Sequence, residues 1–257
     1  MTPPAIPNSF RTHSPGGPLS RYVSHYWLSL RNESSLYSAL PDGCVDVVIE
    51  VAGDTHDAWI YGSTTRPTDI ACSRGTHYLG IRFRPGQSRH FIDATAGEIT
   101  DARAQLRGLM QLPVEMIAER ITADTLFSQL DQILATTLSH SPPEVSLIDH
   151  VLQHVDARHG VLNIEGVARH FGKSRRQIER LFSEVVGVPL KFFCTLARLR
   201  YAARLIAHPS ERSLSAIAGD AGYSDQSHMT RDFRRLAGAT PARLRHDGAF
   251  FQYHAPR

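Results

Sequence analysis

An internal repeat of short, glycine-interrupted helices is the feature that most limits how this chain can fold. The first copy reads LNIEGVARHFGKSRRQIERLFSEVVGVPLKFF, and the second reads RSLSAIAGDAGYSDQSHMTRDFRRLAGATPARL. Each copy has a short helix with a central alanine, Ala168 or Ala218, followed by a glycine, Gly172 or Gly222. Glycine permits a sharp turn, and small side chains let two short helices pack steeply. The repeat therefore predicts two helix–turn–helix motifs.

Capping residues, glycines and prolines predict where the helices in and around the repeat begin and end. Ser174 in the first copy, and Ser224 with Asp225 in the second, can accept the free N–H groups of the helix that follows. Upstream, the segment VSLIDHVLQHVDARHG predicts a helix that stops at Gly160. The remaining helices are predicted over 163–170, 174–186, 189–207, 213–221 and 225–237, with a last short helix from about Pro241.

Helical periodicity separates an apolar and a polar face on the second helix of each copy. The residues predicted to face the core are Ile178, Leu181, Phe182, Val185, Met229, Phe233 and Leu236. The outward or lateral residues are Arg175, Arg176, Gln177, Glu179, Arg180, Gln226, Ser227, Thr230, Arg231, Arg234 and Arg235. Arginine matches the two acceptors of guanine, and glutamine matches the acceptor–donor pair of adenine. A single arginine-rich face is as often merely solvated, but two copies favour DNA binding.

Charge is distributed unevenly along the chain. Residues 161–257 carry 16 Lys and Arg against 8 Asp and Glu, a net of +8. Residues 1–160 carry 12 against 17, a net of −5, so the overall charge is +3. This asymmetry predicts that the C-terminal part alone meets a polyanion, although uneven charge also arises without function.

The segment from about Ser146 to His246 resembles the tandem helix–turn–helix domain of AraC/XylS-type transcription regulators. The matching residues are Ala218, Gly222, Tyr223, Ser227, His228, Arg231, Phe233, Arg234, Gly238, Pro241 and Arg245. Met229 and Leu244 stand where aromatic residues are common in the family, and both remain apolar. The first copy is more degenerate and has Arg176 where some relatives carry a bulky aromatic residue.

The resemblance implies that one chain reads one asymmetric DNA site. The helix over 189–207 would be a spacer about 28 Å long at ~1.5 Å per residue, holding two helices in major grooves ~34 Å apart. The expected base readers are Arg175, Arg176, Glu179, Arg180, Gln226, Ser227 and Arg231. Phosphate contact or helix support is expected of Lys173, His228, Arg234 and Arg235, and Gln177 is included in the predicted surface. Arg180 and Arg231 could instead pair with acidic residues of the chain.

The first hundred residues are predicted to form β structure. Short runs rich in β-branched and aromatic residues span 25–30, 45–51, 58–62 and 78–83, with turn signals at 41–43, 52–54 and 84–86. Helices are then expected over 113–121 and 124–138, with Pro113 starting or interrupting the first. Their apolar side chains could pack on the β structure or on a second copy of the chain, so a homodimer is a hypothesis.

The predicted fold is thus α+β. An N-terminal β-rich barrel or sandwich with trailing helices spans 1–138, a linker spans 139–145, and an all-α DNA-binding domain of two helix–turn–helix motifs joined by a long helix spans 146–250. The first part resembles the cupin-like sensor and dimerisation domains of the same family. The stretches LPDGCVDVVIE and LGIRFRPGQSRHFI are similar to landmarks of an N-terminal domain in one subgroup of these regulators.

Several polar residues near predicted strand ends are candidates for binding a small-molecule effector: Asp42, Asp46, Arg66, His77, Arg82 and Arg84. Alternation over 78–84 sets Tyr78, Gly80, Arg82 and Arg84 on one strand face. Two arginines on one face could receive an anionic effector, or they could form salt bridges.

Other classes of protein are disfavoured by the sequence. No stretch is apolar for long enough to cross a membrane, and the first residues lack a signal-type apolar core, so a cytoplasmic protein is expected. The cysteines and the scattered histidines predict no metal site and no cofactor, and no catalytic constellation predicts an enzyme. The favoured function is a transcription regulator, expected to be an activator, with double-stranded DNA and RNA polymerase as partners. The alternatives are a cupin-type enzyme and an effector-independent architectural DNA binder.

Overall fold

The computed structural model describes residues 10–140, 143–208 and 212–247. Residues 1–9, 209–211 and 248–250 of the predicted domains, and residues 141–142 of the predicted linker, lie outside the described residues. The β-strands are β1 (Phe10–His13), β2 (Val23–Ser29), β3 (Leu36–Ala39), β4 (Val45–Ala52), β5 (Thr55–Tyr61), β6 (Thr68–Ala71), β7 (His77–Phe83) and β8 (Arg103–Gln105). The helices are α1 (Val114–Glu119), α2 (Leu126–His140), α3 (Leu147–Ala157), α4 (Ile164–His170), α5 (Arg175–Val186), α6 (Leu190–Ala207), α7 (Leu214–Asp220), α8 (Gln226–Ala237) and α9 (Pro241–Asp247).

The N-terminal strands form two antiparallel sheets. Six strands run in the order β1-β2-β7-β4-β5-β8, and β3 pairs separately with β6. The four predicted runs correspond to β2, β4, β5 and β7, which are the long strands of the larger sheet. Strands β1, β3, β6 and β8 have three or four residues each and were not predicted. Such short strands acquire their conformation from the partner strand, and no local alternation identifies them.

Alternating side chains along each strand define the two faces of the larger sheet. On β7, Leu79, Ile81 and Phe83 are fully buried in the N-terminal core. The predicted alternation is therefore confirmed over residues 78–83, because the opposite face carries Tyr78, Gly80 and Arg82, whereas β7 ends before Arg84. The core on the first face is closed by α1 and α2, whose residues Ile117, Leu126, Leu130 and Leu134 are buried in it. Of the two expected uses of these helices, packing on the β structure is the one observed.

The predicted helix over 113–121 is shorter in the structure. It spans Val114–Glu119, with Pro113 as its N-cap, because proline supplies no backbone N–H and suits the start of a helix. The helix α2 continues to His140, two residues into the predicted linker. No helix among the described residues is long and apolar enough to span a membrane.

The C-terminal helices match their predicted bounds to within about one residue at most ends. The residues Ser146, Asn163, Ser174, Ser213 and Asp225 are N-caps whose side chains accept backbone N–H groups of the following helix. Two apolar cores lie among these helices, and α6 contributes to both. Phe193 packs in the core around the first motif, whereas Ala203 packs in the core around the second. The long helix α6 thus joins the two motifs and packs in the cores of both.

Candidate nucleic-acid interface and cavity

The two helix–turn–helix motifs repeat the same backbone hydrogen bonds. In the first, the amide of Lys173 donates to the carbonyl of Ala168 at 2.9 Å, and in the second, the amide of Tyr223 donates to Ala218 at 2.9 Å. The intervening Gly172 and Gly222 have φ of +63° and +74°, which favours glycine over residues with a side chain. The turn geometry is therefore the same in both copies, as the repeat predicts.

The helix that follows each turn is fixed by its apolar face. Ile178 and Phe182 on α5, and Met229 and Phe233 on α8, are fully buried. The remaining residues predicted to face inward are also packed, with Leu236 buried and Leu181 and Val185 partly buried. Burying this stripe leaves the opposite face of each helix in solvent. The exposed residues there are Arg175, Arg176, Gln177, Arg180, Gln226, Ser227, Arg231, Arg234 and Arg235, with Lys173 exposed in the first turn and Glu179 half-buried.

Intramolecular contacts separate these exposed residues into two groups. Arg175 pairs with Glu165 at 2.6 Å and with Glu179 at 3.2 Å, and Arg180 approaches Glu184 at 3.5 Å. Within the described part of the chain, no ion pair or hydrogen bond engages the side chains of Arg176, Arg231 or Arg234. These three guanidinium groups are the ones fully available to a nucleic acid.

Three other predicted surface residues contribute to helix structure. The Gln177 carboxamide accepts from the backbone N–H of Ser174 at 2.9 Å, completing a capping box at the start of α5. His228 contacts the Ser224 hydroxyl at 3.1 Å and lies edge-on to Tyr223. Arg235 pairs with Asp232 at 2.9 Å. Helix support, one of the two roles expected of His228 and Arg235, is observed for both.

The long helix also contacts the second turn and the N-terminal part. The Arg198 guanidinium donates to the carbonyl of Gly222 at 3.3 Å and lies over the ring of Tyr223. Two residues later, Arg200 donates to the carbonyl of Asp42 at 3.3 Å. One helix therefore contacts both the second recognition motif and a loop of the β-rich part.

The C-terminal end of α5 is docked on the N-terminal part. Buried Ser63 donates to the carbonyl of Val186 at 2.8 Å, and Thr100 donates to the carbonyl of Gly187. Nearby, Arg89 pairs with Asp149 of α3 at 2.7 Å. Burial opposes ionisation of Asp149, but hydrogen bonds from the Ser146 backbone, from Arg89 and from Gln87 together outweigh it and lower its pKa to about 2. The exposed N-terminal half of α5 remains outside this interface.

A cavity of 490 Å³ lies between the two N-terminal sheets. One wall is the face of the larger sheet that carries Trp27, Asp46, Glu50, Tyr78 and Arg82, and the other includes residues of β3 and β6. A cavity of this size holds a drug-sized molecule. The indole of Trp27 forms part of the cavity floor, and Gly80 leaves room for it, because a Cβ atom at position 80 would overlap the ring.

The six predicted effector-site residues divide into two groups of three. Asp42, Asp46 and Arg82 line the cavity. Arg66, His77 and Arg84 do not line it: Arg66 is exposed, His77 accepts from the backbone N–H of Arg31, and Arg84 donates to the carbonyl of Ser20. The strand β7 ends at Phe83, so Arg84 lies beyond the strand that carries Arg82.

Arg82 is held by two carboxylates. Its guanidinium lies 2.8 Å from Asp42 and 2.8 Å from Asp46, with all three side chains largely buried. Burial acts to lower the pKa of Arg82, but the two carboxylates outweigh this and raise it well above its usual value. Of the two expectations for these arginines, salt-bridge formation is the one observed for Arg82.

Other residues that line the cavity were not predicted from the sequence, including Trp27, Glu50, Tyr61, Asp101 and Arg103. Glu50 could have been found, because alternation in VDVVIEV sets it on the same strand face as Asp46. Cys44 also lines the cavity, and burial raises the pKa of its thiol. Among the described residues, no group of three His, Cys, Asp or Glu side chains could hold a metal ion.

Two capped recognition helices, set by identical turns and joined by α6, define a tandem helix–turn–helix module of a DNA-binding transcription regulator. The model of a helix–turn–helix domain matches residues 167–247, and a domain of unknown function (DUF6597) matches 11–105. The chain is 34% identical to the regulatory protein SoxS of Salmonella typhimurium over 109 residues, which are 42% of this chain and 98% of SoxS. The chain belongs to the AraC family of transcription regulators.

Two further proteins are similar to part of this chain. The transcriptional regulator ExsA of Pseudomonas aeruginosa is 37% identical over 78 residues, which are 30% of this chain and 28% of ExsA. The chain thus matches less than a third of the length of that relative. A crystal structure of an AraC-type regulator from Chromobacterium violaceum is 27% identical and covers 38% of this chain and 88% of its own, with a TM-score of 0.36.

Proposed function

We propose that this protein activates transcription by inserting α5 and α8 into successive major grooves of one DNA site. The observation that carries the proposal is the pair of matched turns, each of which presents an exposed polar helix face with unpaired arginines. The unpaired arginines are Arg176 on α5 and Arg231 and Arg234 on α8. Side chains near the N-terminal end of a recognition helix reach base edges, which suits Arg176 at the second position of α5.

The spacing supplied by α6 fits this arrangement. Its 18 residues correspond to about 27 Å of helix, somewhat less than the ~34 Å between successive major grooves on one side of DNA. The docked end of α5 faces the β-rich part, which leaves its N-terminal half for the groove. Arg176 and Arg231 are our strongest candidates for base contacts, and Lys173 and Arg234 for phosphate contacts. The weaker candidates are Arg175, Glu179, Arg180, Gln226 and Ser227.

Operator binding by the full chain tests this assignment. A preferred duplex is selected from randomised DNA, and its affinity is measured for Arg231→Ala, for Arg176→Ala and for the control Arg107→Ala, which removes an exposed charge from the N-terminal part. Each recognition variant should lose ~1–3 kcal/mol of specific binding and relax preference at one base pair, whereas the control should not. Unchanged affinity in both recognition variants would refute the base contacts. Equal affinity for all sequences would instead identify an architectural DNA binder.

We further propose that the cavity binds a small-molecule effector whose presence is transmitted to α6. The loop at Asp42 supports this route, because its carboxylate holds Arg82 in the cavity wall while its carbonyl accepts from Arg200. Gly43 lies against Phe193 of the same helix, so movement of this loop would disturb the packing of α6. An effector that shifts the loop would thereby change how the two recognition helices are held.

A pair of variants on α6 tests the route. A molecule that raises the melting temperature of the full chain and alters its operator affinity is first identified by screening. Arg200→Met should retain the rise in melting temperature but lose the change in operator affinity, whereas Lys191→Met, an exposed charge on the same helix, should retain both. A full operator response in Arg200→Met would exclude this route. Activation itself requires RNA polymerase as a partner, and transcription from the selected site in vitro tests it.

The homodimer expected from the sequence is a separate hypothesis, which the structure does not test. Helices α1 and α2 bury their apolar residues in the N-terminal core, so a dimer would use their remaining faces. Sedimentation of the full chain at micromolar concentration, with and without operator DNA, decides between one copy and two.

A further inference from the structure

Carboxylates outnumber guanidinium groups around the cavity. Its described lining contains two guanidinium groups, Arg82 and Arg103, and five carboxylates: Asp42, Asp46, Glu50, Asp69 and Asp101. Arg82 is occupied by two of those carboxylates. Arg103 donates to the Tyr61 hydroxyl at 3.2 Å and lies 4.3 Å over the ring of Trp59. Arg82 is therefore committed to carboxylates, whereas Arg103 is exposed and its contacts are to uncharged groups, so carboxylates outnumber the cations of the lining.

Four of the five carboxylates have partners within the protein. Asp42 and Asp46 hold Arg82, Asp69 accepts from the Ser38 hydroxyl, and Asp101 accepts from both the backbone N–H and the hydroxyl of Thr65. Among the described residues, none lies within hydrogen-bonding or ion-pairing distance of the Glu50 carboxylate. It is half-buried on the cavity wall, and burial raises its pKa despite the opposing effect of Arg103. A half-buried carboxylate that accepts no hydrogen bond and forms no ion pair favours a bound positive charge.

The surfaces around Glu50 suit an organic rather than a hydrated inorganic cation. Tyr78 stands directly opposite Glu50 in the register of β4 and β7. The cavity is also lined by Phe10, Trp27, Tyr37 and Tyr61, together with aliphatic side chains such as Val48 and Ile70. Aromatic rings attract a cation to their faces and provide apolar area for its body.

We propose that the effector is an organic cation, an ammonium or similar group on an aromatic or aliphatic body, with its charge at Glu50 and its body against the aromatic wall. This inference rests on the proposed effector function and gives it a ligand class. An anionic effector is disfavoured at Arg82, because binding there would require Arg82 to leave two buried carboxylates, and the five carboxylates of the lining outnumber its two guanidinium groups.

Two ions of nearly equal shape and opposite charge, tetraphenylphosphonium and tetraphenylborate, test the charge preference. Both are titrated into the full chain by calorimetry at pH 8 and fixed salt. The phosphonium should bind at least about tenfold more tightly than the borate, a difference of about 1.4 kcal/mol. Equal affinity, tighter binding of the borate, or binding of neither ion overturns the proposal.

Two variants locate the charge. Glu50→Gln keeps the side-chain shape and should weaken phosphonium binding about tenfold, whereas Asp54→Asn removes an exposed carboxylate from the β4–β5 turn and should leave it unchanged. The melting temperature of each variant is measured first, so that lost binding is not confused with lost folding. Unweakened binding by folded Glu50→Gln overturns the assignment. The same samples are titrated with operator DNA in the absence of both ions. If the protein binds DNA but does not prefer the phosphonium to the borate, the proposed cationic effector is refuted and the proposed regulatory function is not.

Discussion

The Ser63 hydroxyl donates a 2.8 Å hydrogen bond to the main-chain carbonyl oxygen of Val186, joining two residues that are 123 positions apart. Ser63 is fully buried, and it also lies 3.2 Å from the carbonyl of Cys44. The bond connects a loop beside the cavity to the last turn of α5. It therefore links the two parts of the chain at the point where a signal between them would pass.

Removing this hydroxyl should loosen the interface. Ser63→Ala leaves the Val186 carbonyl buried without its donor, and we expect a loss of about 1–2 kcal/mol in the free energy of unfolding. Denaturant unfolding measures it, and hydrogen exchange at the end of α5 should increase. Ser128→Ala, which removes an exposed hydroxyl from α2, is the control and should change stability by less than about 0.5 kcal/mol. An equal effect of the two substitutions would contradict the role of the bond.

Neutralising Arg82 should be far more costly than neutralising its neighbour Arg84. Arg82→Met leaves Asp42 and Asp46 buried without their cation, which costs about 3–5 kcal/mol, whereas Arg84→Met removes an exposed contact and costs less than about 1 kcal/mol. Chemical denaturation compares the two. Adding Asp46→Asn to Arg82→Met should recover part of the loss, and no recovery would show that packing rather than charge dominates.

A methyl group at position 80 should damage the cavity floor. In Gly80→Ala the new Cβ atom would overlap the indole of Trp27, so the ring must move and we expect about 1–3 kcal/mol of destabilisation. Gly219→Ala is the matched control, since that position on α7 has open space and alanine favours helix. Thermal unfolding with tryptophan fluorescence follows both effects. A stable Gly80→Ala protein with unchanged emission would show that Trp27 does not form the floor.

Stability should fall on acidification in two stages. Burial, assisted by the charge of Arg89, lowers the pKa of His90 to about 4, so the unfolded chain binds this proton more strongly and stability is lost as the pH falls from about 6.5 to 4. Asp149, with a pKa of about 2, contributes stability that is present above about pH 4 and lost as the pH falls towards 2. Urea unfolding across this range measures both stages.

Two variants assign the stages of that profile. His90→Gln should flatten the upper stage, and Asp149→Asn should flatten the lower one, whereas His140→Gln, at an exposed position on α2, should change neither. An upper stage that persists undiminished in His90→Gln would assign that loss of stability to other groups.

The sequence by itself determined the helical C-terminal part, because its signals are local. Caps such as Ser174 and Asp225, glycine turns and apolar faces act within a few residues, and the predicted bounds agree with the structure to within about one residue. The exposed faces of α5 and α8 followed from the same periodicity. Sequence alone could not show that Arg175 is paired and Arg176 free, since one partner, Glu165, lies on another helix.

Only the tertiary structure decided the short strands, the cavity and the docking of the two parts. Strand β3 pairs with β6, about 30 residues later, and neither has an alternation long enough to be recognised. The commitment of Arg82 to Asp42 and Asp46 likewise depends on neighbouring strands and a loop meeting in space. Contacts between distant residues depend on how the whole chain closes, so local propensity leaves them undetermined.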